Sequence, residues 1–316
     1  HVIIRPMKLP IINLQKPDVK ALDLACRSWG AFALTGHNLT TQRHANALLF
    51  AREFFAQNKS KKNEIRRTPD NMWGFYDAEL TKNKQDWKEI LDIGPPTDAR
   101  PRQRGIPQWP DTRHFKSTMT LLSQDMHQMA LQLVGLMAQA LGTRADLPAA
   151  FDPHSSFLRL NHYPPCPNPA SAHAPTNSTK GELGISHHTD AGAITILLTD
   201  QQPGLQIFRD SRWHTITPPD QGVLVNLGDI AQVWSNDRYC APLHRVLAHQ
   251  EVSRLSIPYF LNPSYDYDYA PLGSVCSPTE PPRYHSINWG EFRRQRSLGD
   301  YADCGEEVQI AHYIRR

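Results

Sequence analysis

Three side chains in the second half of the sequence are of the types that hold a metal ion. His188 and Asp190 stand two residues apart in SHHTDAGAITILL, residues 186–198, and His244 opens the apolar run HRVL. Side chains alternate between the two faces of a β-strand, so we expect His188 and Asp190 to share one face and His187 to point to the other. An H-x-D triplet occurs by chance in many proteins. Together with His244, it predicts a site for one metal ion.

The residue types favour one kind of ion. Two imidazoles and one carboxylate on rigid strands bind one face of an octahedral ion and leave the opposite positions open, which is the ligand set of non-haem Fe(II) oxygenases. Zinc accepts the same side chains, but it prefers four-coordinate sites and has no redox chemistry. The pattern therefore favours iron, with zinc as the alternative.

A second group of polar side chains is suited to binding an anion. Arg254 and Ser256 lie two apart in RLSIPYF, and Arg159, Asn161 and Tyr163 share a face of FLRLNHY. A guanidinium fork matches a carboxylate, and the Tyr163 phenol can add a donor to the same group. The structural alternatives are a surface arginine paired with an acidic residue and a core tyrosine with a satisfied hydroxyl.

The elements that position these residues are predicted from the hydrophobic periodicity. From residue 155 onward, short apolar runs alternate with turn residues, which is typical of an antiparallel sandwich or barrel. The residues before 151 favour helices, and a final helix is predicted near the C-terminal end. The predicted helices span residues 19–29, 41–55, 115–141 and 289–297. The fold class is therefore mainly β with flanking helices.

The amino-acid composition indicates which kinds of binding partner and which cellular compartment to expect. The 316 residues carry a formal charge of +3. We expect the basic run at 59–67 to form a solvated face of a helix and not a site for nucleic acid. Five scattered cysteines without a C-x-x-C pair favour a reducing compartment. No apolar stretch reaches transmembrane length and none resembles a signal peptide. We expect a cytoplasmic protein with no membrane partner, and a monomer by default.

Several motifs, in one order along the chain, resemble the 2-oxoglutarate and Fe(II)-dependent dioxygenases of the isopenicillin N synthase-like family. LRLNHYPPCPNP is similar to the R-x-N-Y-Y-P motif of that family, GISHHTDAGAITILL to its H-T-D motif, and RLSIPYFLNP to its R-x-S motif. VNLGDIAQVWSNDRYCAPLHRV is similar to the approach to the second histidine. The likeness extends to LPIINL and WGFYDAELTKNKQDWKEIL, so it spans nearly the whole chain.

The resemblance implies a fold and a set of site residues. The fold is a double-stranded β-helix, or cupin-like jelly roll, with a mostly helical region at 1–150, the catalytic core at 151–270 and a C-terminal segment with a helix at 271–316. His188, Asp190 and His244 would be the Fe(II) ligands, with no further catalytic side chain. The residues that would bind 2-oxoglutarate are Arg254, Ser256, Tyr163 and Asn161.

The implied activity is the oxidation of a C–H bond of a small organic metabolite of secondary metabolism. The enzyme would hydroxylate, desaturate or cyclise that substrate. It would use Fe(II), 2-oxoglutarate and O2 and release succinate and CO2, and ascorbate is a candidate activator. One alternative is an oxidase of the same family that uses no 2-oxoglutarate, of the isopenicillin N synthase or aminocyclopropane carboxylate oxidase type. The other is a non-catalytic jelly-roll protein that binds a ligand.

Two departures from the family pattern concern the surroundings of the site. Position 162 is His where the family commonly has Tyr, and the loop at 170–182 is longer than in many plant members. We expect this loop to be a solvated insertion; the alternative is that it covers the mouth of the active site. We expect the substrate pocket to draw on the N-terminal helices, the region 72–87 and strand positions near Phe260.

Overall fold

The computed structural model describes residues 7–95, 105–176, 178, 180–217, 223–300, 302–303 and 305–315. Within these ranges, no helix is both long enough and apolar enough to cross a membrane. The helices are α1 (Val19–Ser28), α2 (Thr41–Phe55), α3 (Lys59–Asn63), α4 (Phe115–Ala140), α5 (Asp229–Trp234) and α6 (Trp289–Leu298).

The strands form two main sheets and two short pairs. The strands in chain order are β1 (Ile11–Asn13), β2 (Ala31–Thr35), β3 (Gly74–Tyr76), β4 (Leu80–Thr81), β5 (Lys84–Gln85), β6 (Glu89–Ile93), β7 (Phe157–Tyr163), β8 (Leu183–His188), β9 (Ile194–Thr199), β10 (Leu205–Arg209), β11 (Arg212–Thr215), β12 (Val223–Leu227), β13 (His244–Leu247), β14 (Arg254–Leu261), β15 (Asp268–Tyr269) and β16 (Ile287–Asn288). The large sheet has the order β1-β2-β12-β9-β14-β7-β6-β3, and the small sheet has the order β11-β10-β13-β8.

The two sheets face each other, and all their pairings except β1 with β2 are antiparallel. A small apolar cluster that includes Leu197 and Leu224 of the large sheet and Leu205 and Ile207 of the small sheet lies between them. This arrangement confirms the predicted fold class, a mainly β jelly-roll core with flanking helices.

The alternation of side chains along β14 separates the core from the functional surface. Leu255, Ile257, Tyr259 and Leu261 belong to the main apolar core, which the helices α1, α2 and α4 cover. The intervening side chains, from Arg254 to Phe260, line a cavity between the two sheets. One face of this strand is thus used for stability and the other for binding.

The four predicted helices are confirmed, and their ends lie within one residue of the predicted ones. The Thr40 hydroxyl accepts a hydrogen bond from the Arg43 backbone N–H and so caps α2, while Gly30, with a φ of +62°, follows the end of α1. Helix α4 extends over 26 residues, about 39 Å at 1.5 Å per residue, and its buried stripe runs from Phe115 to Met137. This helix supports the back of the large sheet.

The prediction of a mostly helical first half missed four strands of the large sheet. β1, β2, β3 and β6 all come before residue 151, and they complete the two ends of that sheet. These strands have only three to five residues each, which is too short for a periodicity to stand out from the surrounding helical pattern.

The expectation that the basic run at 59–67 forms a solvated face is wrong for two of its members. Lys62 is 7% exposed and its ammonium lies 2.6 Å from the Glu89 carboxylate. Arg67 is 8% exposed and donates to Asp92 at 2.9 Å. The strand β6 supplies both carboxylates, and because it is distant in sequence, its pairing with the run could not be predicted from local composition.

Candidate active site

The three predicted metal-binding side chains meet in the cavity. His188 ends β8, His244 begins β13, and these two residues are direct cross-strand neighbours. The Asp190 Oδ1 atom lies 3.8 Å from His188 Nε2 and 3.6 Å from His244 Nε2, so three ligand atoms converge within 4.8 Å of one another. His187, by contrast, does not line this cavity.

Hydrogen bonds fix the orientation of each metal-binding side chain. His188 Nδ1 donates to the Ser186 carbonyl at 2.8 Å, and His244 Nδ1 donates to the Pro242 carbonyl at 2.9 Å. With the proton held at Nδ1, each Nε2 lone pair points at the site. Burial, with a smaller contribution from His244, holds the pKa of His188 well below its usual range, which keeps that imidazole neutral and able to bind a metal.

The position of Asp190 corrects the prediction that one strand carries both the histidine and the carboxylate. Strand β8 ends at His188, Asp190 lies in the loop that follows, and most of AITILL belongs to the separate strand β9 in the other sheet. The Asp229 N–H donates to the Asp190 carbonyl at 2.7 Å. A Cβ at position 228 would lie 2.1 Å from the Gly192 carbonyl oxygen, so only glycine permits this close approach.

Thr195 on β9 fixes the carboxylate of Asp190. Its hydroxyl donates to Asp190 Oδ2 at 2.7 Å, which leaves Oδ1 directed at the two imidazoles. We expect Thr195→Val to weaken Fe(II) affinity about 10-fold, because such supporting contacts commonly contribute that much to metal binding. Thr195→Ser keeps the hydroxyl and should bind iron like the wild type. Anaerobic Fe(II) titration measures both, and equal affinity of the valine and serine variants would contradict the role.

The predicted anion-binding side chains form the inner half of the cavity, defined here by Tyr163, Arg254 and Ser256. Arg254 is 2% exposed, lies over the Tyr163 ring at 5.1 Å and donates through Nε to the Gln202 carbonyl at 3.2 Å. The Ser256 hydroxyl lies 3.3 Å from both Tyr163 Oη and Asn161 Nδ2. All four predicted residues are therefore brought together.

The guanidinium of Arg254 indicates where an anionic ligand would bind, whereas the amide oxygen of Asn161 is an acceptor and requires a donor. Among the described residues, Nη1 of Arg254 is buried and has no hydrogen-bond partner, and neither does Oδ1 of Asn161. A buried guanidinium N–H without an acceptor is costly, so it indicates a place where a ligand oxygen completes the bonding. The convergent His, His and Asp donor set fits a divalent ion such as Fe(II), and the open guanidinium fits a carboxylate close to it.

Arg159 shares the cavity-facing side of β7 with Asn161 and Tyr163, but its guanidinium is not free. It donates twice to Glu79, at 2.9 Å each, and twice to Asp92, at 2.7 and 2.9 Å. No local pattern indicated these partners, because they lie 67 and 80 positions away. Arg159 is thus part of a buried ion-pair network in the cavity wall.

The lining of the cavity overlaps only in part with the region predicted for the substrate. Residues 79–81 and Phe260 line the cavity, as expected, but none of the described lining residues belongs to α1, α2 or α4. The C-terminal helix α6 takes their place, with Trp289, Arg293 and Arg296 on the cavity wall. The N-terminal helices instead pack behind the large sheet, where their apolar faces are buried.

Arg296 was missed by the sequence analysis, although it lies next to the metal-binding turn. It is 7% exposed, donates to the Thr189 carbonyl at 3.0 Å and lies 3.3 Å from the Glu307 carboxylate. Thr189 stands between His188 and Asp190. An amphipathic helix pattern gives no indication of such a contact, because it arises only when the C-terminal segment folds over the cavity.

The described part of the loop at 170–182 has several exposed side chains, as expected, but it is anchored to the protein through two backbone carbonyls. Its Ala172 and Ala174 carbonyls accept hydrogen bonds from Arg245, at 3.1 and 2.9 Å, and Arg245 is 1% exposed and stacks over the Trp213 ring at 4.2 Å. His162 is the second position that departs from the family pattern. Its Nδ1 atom lies 2.8 Å from Glu89 Oε1, and its ring stacks on Phe55. Both features pack on the protein itself.

Comparison with known families gives two matches that together cover most of the chain. Residues 154–263 match the model of the 2OG-Fe(II) oxygenase superfamily. Residues 9–112 match the model described as the non-haem dioxygenase in morphine synthesis N-terminal region. The metal and anion groups described above, including Tyr163, Asp190, His244 and Arg254, lie within the first match.

The chain is similar over most of its length to a gibberellin dioxygenase and to a flavonoid demethylase. The chain is 31% identical over 296 residues to gibberellin 3-beta-dioxygenase 1 of Pisum sativum, covering 90% of this chain and 75% of that protein. It is 28% identical over 298 residues to oxoglutarate-dependent flavonoid 7-O-demethylase 1 of Ocimum basilicum, covering 90% of this chain and 77% of that protein.

Solved structures with the same fold contain the expected cosubstrate. The structure of JOX2 in complex with 2OG, Fe, and JA matches with a TM-score of 0.82 and 26% identity, covering 100% of this chain and 92% of that one. The structure of a full-length Neurospora crassa protein in complex with alpha-KG and thymine matches with a TM-score of 0.78 and 25% identity, covering 93% of this chain and 97% of that one.

Proposed function

Since the chain belongs to the 2-oxoglutarate and Fe(II)-dependent oxygenase superfamily, we propose that His188, Asp190 and His244 bind its iron and that Arg254 and Ser256 anchor its 2-oxoglutarate. The enzyme catalyses 2-oxoglutarate-dependent oxidation of a small organic molecule. The observation that carries the assignment of residues is the convergence of the three ligand atoms beside the unpartnered Nη1 of Arg254.

The protein's own side chains position the reactants. Iron, when bound, supplies the redox chemistry by which O2 and 2-oxoglutarate are consumed and a C–H bond is oxidised, with succinate and CO2 as products. Arg254 and Ser256 orient the distal carboxylate of 2-oxoglutarate, with Tyr163 and Asn161 completing its hydrogen bonds. The buried walls keep bulk water and external reductants away from the reacting centre. Depending on the substrate, the outcome is hydroxylation, desaturation or ring closure.

An oxidase of the same family that needs no 2-oxoglutarate is the alternative enzyme. The guanidinium of Arg254 does not distinguish the two enzymes, because an anionic substrate satisfies it as well as 2-oxoglutarate does. The 2-oxoglutarate enzyme is supported by the similarity to an oxoglutarate-dependent demethylase and to structures solved with 2-oxoglutarate. Incubating the Fe(II) enzyme with 2-oxoglutarate, O2 and a library of small metabolites tests this directly. We expect succinate to form in proportion to an oxidised product seen by mass spectrometry. Product formed without succinate, or without added 2-oxoglutarate, would contradict the proposal.

We also propose that the enzyme works as a monomer in the cytoplasm. Its chain would divide into an N-terminal region at 1–150, a catalytic jelly-roll core at 151–270 and a C-terminal segment with a helix at 271–316. The cysteines at 26, 166, 240 and 276 are free thiols, which suits a reducing compartment. We propose no nucleic-acid or membrane partner.

A further inference from the structure

The backbone between two of the metal-binding side chains is held by a residue of the C-terminal helix α6. Strand β8 ends at His188, and residues 189 and 190 lie outside any strand. The Thr189 carbonyl, which stands between the two ligands along the chain, accepts a hydrogen bond from Nη2 of Arg296 at 3.0 Å. This contact fixes the backbone that carries His188 on one side and Asp190 on the other.

The other contacts that orient the metal-binding residues are made within the range 154–263, which matches the oxygenase superfamily model. Their partners are Ser186, Thr195, Asp229 and Pro242. Arg296 stands outside that range, 107 positions from Thr189 along the chain. One support of the metal site therefore comes from the C-terminal segment.

The guanidinium of Arg296 is held on its other side by the C-terminal residues 307–309. Nη1 donates to Gln309 Oε1 at 2.9 Å and to the Val308 carbonyl at 3.3 Å. Nε lies 3.3 Å from Glu307 Oε1, and Arg296 as a whole is 7% exposed. Each of the three nitrogens of the side chain thus has an acceptor nearby. The planar fork joins the C-terminal residues to the metal-binding segment, which a single ammonium group could not do.

Glu307 extends these contacts to the hairpin of β4 and β5. Its Oε2 atom lies 2.7 Å from the Lys82 ammonium and accepts a hydrogen bond from the Gln309 amide at 3.0 Å. Lys82 follows the last residue of β4, Thr81, which lines the cavity. Because its other oxygen is held in this way, the Glu307 carboxylate keeps a fixed position beside Arg296.

The charge of Arg296 by itself would disfavour a metal ion, because a cation repels a divalent cation nearby. If Arg296 acted only through its charge, its removal would strengthen metal binding. If it acts by holding the Thr189 carbonyl, its removal would weaken metal binding, since ligand atoms must stay within about 0.5 Å of their productive positions. The two roles therefore predict changes of opposite sign in the metal affinity.

Resting on the proposed function, we infer that Arg296 is a positioning residue of the Fe(II) site. It holds the Thr189 carbonyl and so sets the relative placement of His188 and Asp190, whose Nε2 and Oδ1 atoms lie 3.8 Å apart. Glu307 acts through Arg296, because it helps to hold the guanidinium in place. The C-terminal segment is thus a structural part of the metal centre, and the affinity for the ion depends on its position.

Metal titrations of the full chain test this role. The probes are Fe(II) and Co(II), each added anaerobically without 2-oxoglutarate, and the visible absorption of bound Co(II) reports the arrangement of its ligands. The variants are Arg296→Met, Arg296→Lys, Glu307→Gln and the double variant with Arg296→Met and Glu307→Gln. A thermal melt of each variant measures its stability separately.

Two further variants are matched controls. Arg67→Met removes an arginine that is buried to a similar degree, 8% exposed, but that donates to Asp92 on β6. Arg294→Met removes an exposed arginine of the same helix, which pairs with Glu291. Both controls should bind the two ions nearly as the wild type does.

We expect Arg296→Met to weaken the binding of both ions about 10-fold, because contacts that support metal ligands commonly contribute that much. The Co(II) spectrum should change too, since the ligands lose their single fixed arrangement. Arg296→Lys keeps the charge but loses the fork, so its affinity should lie between those of the wild type and Arg296→Met.

Glu307→Gln should weaken metal binding less than Arg296→Met does. The double variant should bind no more weakly than Arg296→Met alone, because residues that act through one another have non-additive effects. Arg296→Lys and Glu307→Gln are conservative changes, and they test the role even if Arg296→Met does not fold.

Several outcomes would overturn the inference. They are unchanged or tighter metal binding by Arg296→Met, an equal loss of affinity in Arg67→Met, a lower melting temperature with an unchanged Co(II) spectrum, and fully additive losses in the double variant. In each case, metal binding by the wild type that is lost in His188→Ala would leave the proposed function standing. A wild-type protein that binds neither ion would instead contradict the proposed function, and the inference with it.

Discussion

His188→Ala, Asp190→Ala and His244→Ala should each reduce turnover by at least about 1,000-fold, equivalent to about 4 kcal/mol of transition-state stabilisation. Each removes one of three ligand atoms that converge within 4.8 Å, and the remaining two cannot hold an ion in a fixed orientation. The iron content after anaerobic loading, measured by metal analysis, should fall in parallel. Turnover is measured as succinate release.

His187→Ala is the matched control for these three variants. His187 is the neighbour of His188 on β8 but does not line the cavity, so the variant should keep its iron and most of its activity. Circular dichroism and a thermal melt on all four variants report whether the fold is intact. If His187→Ala lost as much iron as His188→Ala, the assignment of the two histidines to opposite faces of β8 would be wrong.

Arg254→Leu should raise the 2-oxoglutarate concentration needed for half-maximal turnover roughly 100-fold, or about 3 kcal/mol, since a carboxylate would lose its buried charged partner. Arg254→Lys keeps the charge but loses the fork, so we expect an intermediate requirement. Ser256→Ala removes one neutral hydroxyl and should raise the requirement about 5-fold. Steady-state kinetics with varied 2-oxoglutarate measure all three.

The affinity for Fe(II) distinguishes a specific role of Arg254 in anchoring 2-oxoglutarate from general damage to the site. Arg254→Leu should bind Fe(II) with wild-type affinity, because Arg254 contacts Gln202 and the Tyr163 ring and none of the three metal-binding side chains. An unchanged 2-oxoglutarate requirement in Arg254→Leu would rule out the anchoring role. Loss of both iron and 2-oxoglutarate binding would show that the substitution had damaged the cavity as a whole.

The sequence by itself determined the reaction class and the parts of the site that depend on local periodicity. Alternation along β7 and β14 placed Tyr163, Asn161, Arg254 and Ser256 on cavity-facing positions, and the structure brings all four together. The heptad-like spacing of apolar residues in α4 predicted the supporting helix almost to its ends. These features are readable because each is set by the geometry of one helix or strand.

The tertiary structure alone decided which charged groups are free to bind. Arg159 and Arg254 both line the cavity, yet Arg159 is paired with Glu79 and Asp92, while Nη1 of Arg254 has no hydrogen-bond partner among the described residues. The tertiary structure also placed Asp190 in a loop beyond β8. The physical reason is that an ion pair depends on contacts between elements far apart in sequence, and no periodicity within one element records its partner.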